Sequence, residues 1–349
     1  MQLTQRDLNR TLLARQHLLG RTSMPVAGMV AHLVGLQAQE NLPPYLSLAA
    51  RLEGFDPYDV TRGLEERSLV RLLTMRGTIH LLVPDDALTL RGFTQPAHDR
   101  ERRASPNTRP GIHLQPGEVR AAAEAALAEG PLPVKALGEA MAEHVPDVPP
   151  NALAHLARVD VPLVQLPPRG CWQQSGGVVY DLLDRWLGRP LAMPDPEAIV
   201  RRYLTAFGPA TAADVTAWSG VTRLGPVVSG MDDLVRHQGP DGRPLYDVPD
   251  GEIVGGHVPA PPRLLGTYDN VWLSHAGRDR VTAPDKRTGW MGSNGGVAST
   301  VFVDGMLEGL WRREDGRVRT ELFRELTRRE RSGLDDEISR VEELLGRKN

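Results

Sequence analysis

The chain has 349 residues, a formal net charge of −3 and 40% hydrophobic residues, which suits ordinary globular cores and excludes a disordered chain. No apolar run approaches the roughly 18 residues that a transmembrane helix needs, and the N-terminus has no signal-peptide core. Because Cys171 is the single cysteine, an internal disulfide is excluded, and we expect a cytoplasmic protein of two or three domains.

The first predicted unit, residues 1–110, is a winged helix-turn-helix. Thr4 is a favourable cap for a helix that runs to about Leu19, and Gly35 is placed to end the second helix. Two more helices follow. Two apolar runs then meet at Arg76-Gly77, which predicts a β-hairpin.

The same outline recurs in residues 111–190 and again in residues 191–259, at a spacing of about 80 to 90 residues, which is typical of a repeated supersecondary unit. In the last repeat we predict a helix over Leu224 to His237 and a tight turn at Asp241-Gly242. The sequence therefore predicts an α+β fold built from three tandem winged helices.

The remaining segment, residues 260–349, is predicted to be β-rich and to end in a charged helix. Asp304-Gly305 and Asp315-Gly316 are hairpin turn dipeptides. The predicted final helix runs from Leu334 to Leu345, with acidic residues early and basic residues late, which complements the helix dipole.

Motifs for several common sites are absent from the sequence. It contains no phosphate-binding G-x-x-x-x-G-K-S/T loop, no H-E-x-x-H motif, no paired cysteine ligands and no G-x-S-x-G elbow. His113, His144 and His155 are scattered singly. We therefore predict neither a metal nor a cofactor.

The first candidate site is Gln37-Ala38-Gln39, directly after Gly35. If Gly35 ends the helix, the following residues are extended, and side chains two apart point to the same side. Gln37 and Gln39 would then project together and hold one water molecule, while Leu36 and Ala38 face the core. The alternative is a pair of solvated amides at a helix end.

The second candidate site is the polar, aromatic and basic stretch from Tyr268 to Arg280, which we interpret as a loop or hairpin. Its side chains are suited to binding phosphates or entering a minor groove. These candidates are Ser274, His275, Arg278 and Arg280. The alternative is a solvated loop with an Arg278–Asp279 pair.

Four motifs in this order resemble one known family. They are Gly35 to Gln39, Arg76 to His80, Tyr203 to Ala210 with Trp218-Ser219-Gly220, and Tyr268-Asp269-Asn270 with Leu273-Ser274-His275. Together they resemble the tandem winged-helix DNA glycosylases that act on alkylated bases and interstrand crosslinks, and the resemblance covers nearly the whole chain.

This resemblance implies three winged helices around a concave DNA-binding surface and a catalytic Gln-apolar-Gln motif at Gln37 and Gln39. Ala38 is smaller than the residue often found there, and some relatives carry Asp where this chain has Gln39. The DNA-binding residues that we predict on this basis are Tyr268, Asn270, Ser274, His275, Arg278, Arg280, Arg76 and His80.

The implied activity is that of a monofunctional glycosylase, which hydrolyses the N-glycosidic bond of N7-alkylated purines in double-stranded DNA. N7 alkylation makes the purine cationic, so the base leaves neutral and the enzyme needs a positioned water and matched dipoles rather than a strong acid. Since Gln does not titrate, we predict a flat rate–pH profile near neutrality. We also expect a monomer.

The thin spread of 17 aromatic residues, with no evident cluster near Gln37, favours an open site approached from a groove over a closed base-flipping pocket. Two other functions stay open at this point. A non-enzymatic winged-helix transcription regulator explains the fold but not the paired glutamines, and a metal-free hydrolase of small molecules lacks a nucleophile–base pair.

Overall fold

The structure is a computed structural model that describes residues 1–287 and 298–348, so part of the predicted β-rich section, residues 288–297, lies outside the described residues. Its helices are α1 Gln5–Arg15, α2 Val26–His32, α3 Pro43–Arg51, α4 Pro57–Glu65, α5 Pro84–Phe93, α6 Gln95–Ala104, α7 Pro116–Ala126, α8 Val134–His144, α9 Pro150–Asp160, α10 Leu183–Leu187, α11 Pro196–Phe207, α12 Ala212–Ser219, α13 Gly225–Gly230, α14 Asn270–Leu273 and α15 Arg328–Gly346. Its strands are β1 Leu36–Gln37, β2 Val70–Leu73, β3 Ile79–Leu82, β4 Leu132–Pro133, β5 Leu163–Gln165, β6 Val179–Leu182, β7 Val235–Gln238, β8 Pro244–Asp247, β9 Arg263–Leu265, β10 Ser299–Val303, β11 Met306–Glu314 and β12 Arg317–Leu322.

One antiparallel sheet of six strands, in the order β1-β3-β2-β5-β6-β4, connects the first two predicted units. The link is the pairing of β2 with β5, in which Arg71 lies opposite Gln165 and Leu72 opposite Val164. The predicted boundary at residue 110 therefore does not separate two sheets. β1 is an edge strand of this sheet, and it carries the first residue of the Gln-Ala-Gln segment.

The apolar core of the described residues has one large part and one smaller part, beside a minor cluster of Leu3, Leu8 and Leu245. The smaller part packs α7, α8 and α9 together and includes Leu137, Met141 and Leu156. The larger part joins the first unit, the α11–α12 region and the C-terminal sheet, which has the strand order β12-β11-β10-β9. The Gln-Ala-Gln segment belongs to this larger part, because Leu36 and Ala38 are both buried in it.

Local sequence rules account for many of the element bounds. Thr4 caps α1 in a capping box, as its position predicted, and Thr211 caps α12 in the same way. The β2–β3 hairpin, the β7–β8 turn at Asp241-Gly242 and the turns at Asp304-Gly305 and Asp315-Gly316 are all present.

Other predicted elements need correction. The helix predicted over Leu224 to His237 is wrong, because α13 covers only Gly225–Gly230 and Val235–Gln238 is a strand. Glycines at both ends of α13 and the pairing of β7 with β8 stop a longer helix. α1 ends at Arg15 rather than near Leu19. None of the helices in the described part of the chain has the length and apolar content to cross a bilayer.

Candidate active site

The backbone before Gln37 makes the sharp change that the sequence predicted. α2 ends at His32, and Val34 and Gly35 have φ angles of 52° and 96°. A Cβ at Gly35 would clash with the side chain of Leu82, so glycine is required both by conformation and by space. The chain then enters β1, where Gln37 pairs with His80 across the antiparallel ladder.

The two glutamines differ in exposure but are held in a similar way. Gln37 is 7% exposed, and its Oε1 accepts a hydrogen bond from Nη2 of Arg76 at 2.9 Å. Gln39 is exposed, and its Oε1 accepts from the backbone N–H of Ile79 at 3.2 Å. Both amide oxygens therefore face donors on the β2–β3 hairpin.

Arg76 lies at the centre of the polar contacts around Gln37. The residue is half-buried in a left-handed conformation, with a φ of 56°, and its Nη1 donates to the carbonyl of Trp218. Gly220 packs against it so closely that a Cβ there would lie 3.0 Å from the Arg76 backbone nitrogen. Burial, with a smaller effect of Arg278, lowers the pKa of Arg76 to about 10, so the guanidinium stays charged near neutrality.

His80 is buried beside Arg76 and is neutral. Its Nδ1 is 3.0 Å from the carbonyl of Thr78, which can only accept, so Nδ1 carries the proton. Its Nε2 is then free to accept from Nη2 of Arg76 at 3.4 Å. Burial and the charge of Arg76 lower the pKa of His80 to about 3, so His80 does not titrate near pH 7.

Arg71 is a residue of this site that the sequence analysis missed. It is 2% exposed in β2, and its Nη2 donates to the carbonyl of Ala38 at 2.7 Å. A Cβ at Gly170 would contact its guanidinium, so the turn after β5 also confines it. The sequence hinted at a special role only by placing an arginine in an apolar strand, and this pattern does not predict the hydrogen bond to the carbonyl of Ala38.

The stretch from Tyr268 to Arg280 is not the loop or hairpin that we predicted, because it contains the short buried helix α14. Asp269 forms a buried ion pair with Arg51 at 2.7 Å. Nδ2 of Asn270 donates to the carbonyl of Gly35 at 3.0 Å. The motif therefore braces the backbone immediately before Gln37.

Burial contradicts the predicted DNA contacts of several residues in this stretch. Asn270, Ser274, His275 and Arg280 are between 0% and 8% exposed. The Ser274 carbonyl accepts from the Tyr203 hydroxyl at 2.6 Å, and Nη2 of Arg280 donates to the carbonyl of Pro209 at 2.8 Å. Side chains held inside the protein cannot reach a phosphate, so these four are structural. His80 is excluded from DNA contact for the same reason.

Tyr268 and Arg278 are half-buried and stay candidates for DNA contact. Tyr268 has a φ of 58°, and Arg278 donates to the carbonyl of His275. Burial and the neighbouring charge of Arg287 lower the pKa of Arg278. The charge of Arg278 also acts on Arg76, which contacts Gln37.

The aromatic side chains near this site form a closed cluster rather than an open surface for bases. Tyr203 lies 5.3 Å from Phe207 and 5.1 Å from Trp218 between ring centroids, and all three are buried. Among residues 1–287 and 298–348, no three His, Cys, Asp or Glu side chains are grouped as a metal would require. The polar chemistry on offer is that of amides and guanidinium groups.

The site therefore combines neutral amides with charged arginines, on a fold of mixed helix and sheet. The family model described as "DNA glycosylase AlkZ-like" matches residues 30–344, and the chain therefore belongs to this family of DNA glycosylases. The predicted enzyme class is confirmed, and the transcription-regulator alternative is set aside.

A comparison of sequences and a comparison of structures both point to Streptomyces sahachiroi. The chain is 26% identical over 357 residues to an interstrand DNA cross-link repair glycosylase of Streptomyces sahachiroi, covering 95% of this chain and 94% of the relative. The solved structure of Streptomyces sahachiroi DNA glycosylase AlkZ superimposes with a TM-score of 0.82 at 23% identity, covering 99% of this chain and 98% of that one.

Proposed function

We propose that this DNA glycosylase is monofunctional and hydrolyses the N-glycosidic bond of N7-alkylated purines, including bulky adducts and interstrand crosslinks formed by a natural-product alkylator. The Streptomyces sahachiroi relative is an interstrand DNA cross-link repair glycosylase, which supports the crosslink substrate. The observation that carries the chemistry is that Gln37 contacts a charged Arg76, which also contacts a neutral His80, while Gln39 is held by the backbone of the same hairpin, so none of these four groups titrates near neutrality.

The proposed reaction uses one water molecule positioned by Gln37 and Gln39. The C1′–N9 bond breaks and its electron pair returns to the purine, which leaves neutral. The water oxygen bonds to C1′ of the oxocarbenium-like sugar and releases its proton to solvent. Placing the water and the amide dipoles in this way is worth about 2 to 4 kcal/mol per group.

The proposed binding mode is a monomer whose three winged helices, residues 1–110, 111–190 and 191–259, surround a concave DNA-binding surface. The fourth unit, residues 260–349, is the β-rich section with the C-terminal helix. Of the predicted DNA contacts, Arg76, Tyr268 and Arg278 are half-buried. We propose Tyr268 and Arg278 for this role, because Arg76 is engaged with Gln37 and the carbonyl of Trp218. The closed packing of the aromatic cluster supports an open site rather than a stacking pocket. A DNA complex with the lesion base fully flipped into a closed pocket would refute this binding mode.

The test uses duplex DNA that carries a single N7-alkylguanine, followed by alkali to cleave abasic sites. We expect strand breaks with the wild-type protein and a loss of about 30- to 1,000-fold in Gln37→Ala and in Gln39→Ala. Gln5→Ala, at an exposed amide on α1, is the matched control and should keep full activity. An absence of abasic sites from every N7 adduct tested would contradict the proposal.

A further inference from the structure

The rotation of the Gln37 amide is fixed by its neighbour. A guanidinium group has only donors, so the atom of Gln37 that faces Nη2 of Arg76 at 2.9 Å must be the carbonyl oxygen. The amide NH₂ therefore points away from Arg76. It has no hydrogen-bond partner among the described residues, and it is not one of the side-chain nitrogens sealed from solvent.

Arg76 is itself held from three sides. Nη1 donates to the carbonyl of Trp218, and Nη2 lies near Nε2 of His80 as well as Oε1 of Gln37. The proton on Nδ1 of His80 leaves Nε2 as an acceptor, which matches the donor on Arg76. Because every one of these contacts is between a donor and an acceptor, the arrangement has one consistent set of orientations.

The guanidinium group of Arg76 is not paired with a carboxylate among the described residues. Within the described ranges, it forms no ion pair, and the neighbouring charge that most affects its pKa is the like charge of Arg278. An unpaired, half-buried guanidinium is costly, so its retention needs a compensating contact. The contacts that the structure provides are the Gln37 amide, His80 and the Trp218 carbonyl.

We propose that Arg76 is a positioning residue that turns the Gln37 amide, so that Gln37 presents its NH₂ group as a donor to the substrate side. This inference rests on the proposed glycosylase function and refines it. Gln37 then donates to an acceptor in the reacting complex, either the water oxygen or a ring nitrogen of the departing purine. It does not act mainly as a carbonyl acceptor facing the cationic sugar.

Gln37→Glu separates a donor role from an acceptor role. A carboxylate keeps the shape and pairs with Arg76, but it has no N–H to donate. With the N7-methylguanine duplex, the donor role predicts a loss in kcat of roughly 100-fold, with KM little changed and no recovery between pH 6 and pH 9. If Gln37→Glu has a kcat equal to or higher than that of the wild type, the proposal is wrong and Gln37 acts through its carbonyl oxygen as an acceptor.

Arg76→Met removes the donor that orients the amide, and we expect kcat to fall between about 10- and 100-fold. Arg76→Lys retains a donor and should recover part of this loss. Arg100→Met is the matched control, because Arg100 is exposed and donates to the carbonyl of Gly220 in the same segment without contacting Gln37. Its kcat should equal that of the wild type.

The outcomes are distinguishable. A wild-type protein that releases no base refutes the proposed function and this inference together. A wild-type protein that is active, with Arg76→Met at full kcat, refutes the inference alone. Thermal melting shows whether each variant is folded, and if Arg76→Met does not fold, Gln37→Glu, which keeps Arg76 paired, decides the question.

Discussion

The ion pair between Arg51 and Asp269 gives the sharpest stability prediction. Asp269 follows Tyr268 in a motif that we predicted to touch DNA, yet its carboxylate is 1% exposed and accepts from Nη2 and Nη1 of Arg51 at 2.7 and 2.8 Å. Asp269→Asn preserves the shape but removes the charge. It leaves the Arg51 guanidinium, which is 0% exposed, without a counterion.

Breaking a buried pair in this way costs about 3 to 5 kcal/mol. Arg51 keeps three other acceptors, the carbonyl and Oγ of Ser47 and Oε1 of Gln16, all at 2.9 Å. We therefore expect the lower end of the range, about 3 kcal/mol in the free energy of unfolding. Coulomb's law agrees in order of magnitude, giving about 4 kcal/mol for charges 4 Å apart at an effective dielectric constant of 20.

The assay is urea denaturation at pH 7, with Asp59→Asn as the control. Asp59 pairs with Arg62 on the surface, where both side chains are about half exposed, so its loss should change stability little. Burial alone would raise the pKa of Asp269, but the charge and hydrogen bonds of Arg51 outweigh it and the pKa is lowered. The stabilisation is therefore complete above about pH 4 and is lost as the pH falls further. If Asp269→Asn costs no more than Asp59→Asn at pH 7, the reasoning is wrong.

Three further predictions concern the surroundings of the glutamines. Gly35→Ala should lower the free energy of unfolding by about 1 to 3 kcal/mol in urea titrations, because Gly35 has a φ of 96° and a Cβ there would clash with the side chain of Leu82 in β3. Gly117→Ala is the control and should be tolerated, because a Cβ at Gly117 meets no atom within 4 Å. Asn270→Ala removes the donor to the Gly35 carbonyl, and we expect kcat to fall by about 5- to 10-fold in the alkali assay while DNA affinity is retained. Burial and the charge of Arg91 lower the pKa of His98 to about 3. The unfolded state then binds more protons below about pH 6.5, so each histidine shifted in this way lowers stability by up to about 1.4 kcal/mol for each unit by which the pH falls. Because His80 is shifted to the same value, His98→Gln should lessen this slope by one histidine's share, while the exposed His113→Gln should leave the slope unchanged.

The local part of the site was predictable from the sequence because it obeys rules of short range. Gly35 follows the end of the helical run, the next two residues form β1, and Leu36 and Ala38 are buried in the core, whereas Gln39 lies in a bend. The hairpin at Arg76-Gly77 follows from two apolar runs around a turn. None of these inferences required knowledge of a distant contact.

The contacts that hold the site were not predictable, because they join residues far apart in the chain. Arg51 meets Asp269 across 218 positions, and Asn270 meets Gly35 across 235. A polar and basic stretch reads as a surface loop when its partners are unknown. Pairing with these partners instead places the stretch in the interior, where its side chains satisfy buried groups. The sheet shared by the first two units was hidden for the same reason.

The charges around Gln37 are consistent with the absence of an acid at the proposed site. If the substrate is an N7-alkylated purine, as we propose, the base already carries a positive charge and needs no proton to leave. A histidine that titrated near pH 7 would then add nothing, and burial beside Arg76 keeps His80 neutral. A carboxylate at position 37 would pair with Arg76 and lose the amide N–H. The arginines Arg71 and Arg76 instead hold the backbone and side chain of one short segment, and we propose that this fixed geometry takes the place of acid–base chemistry.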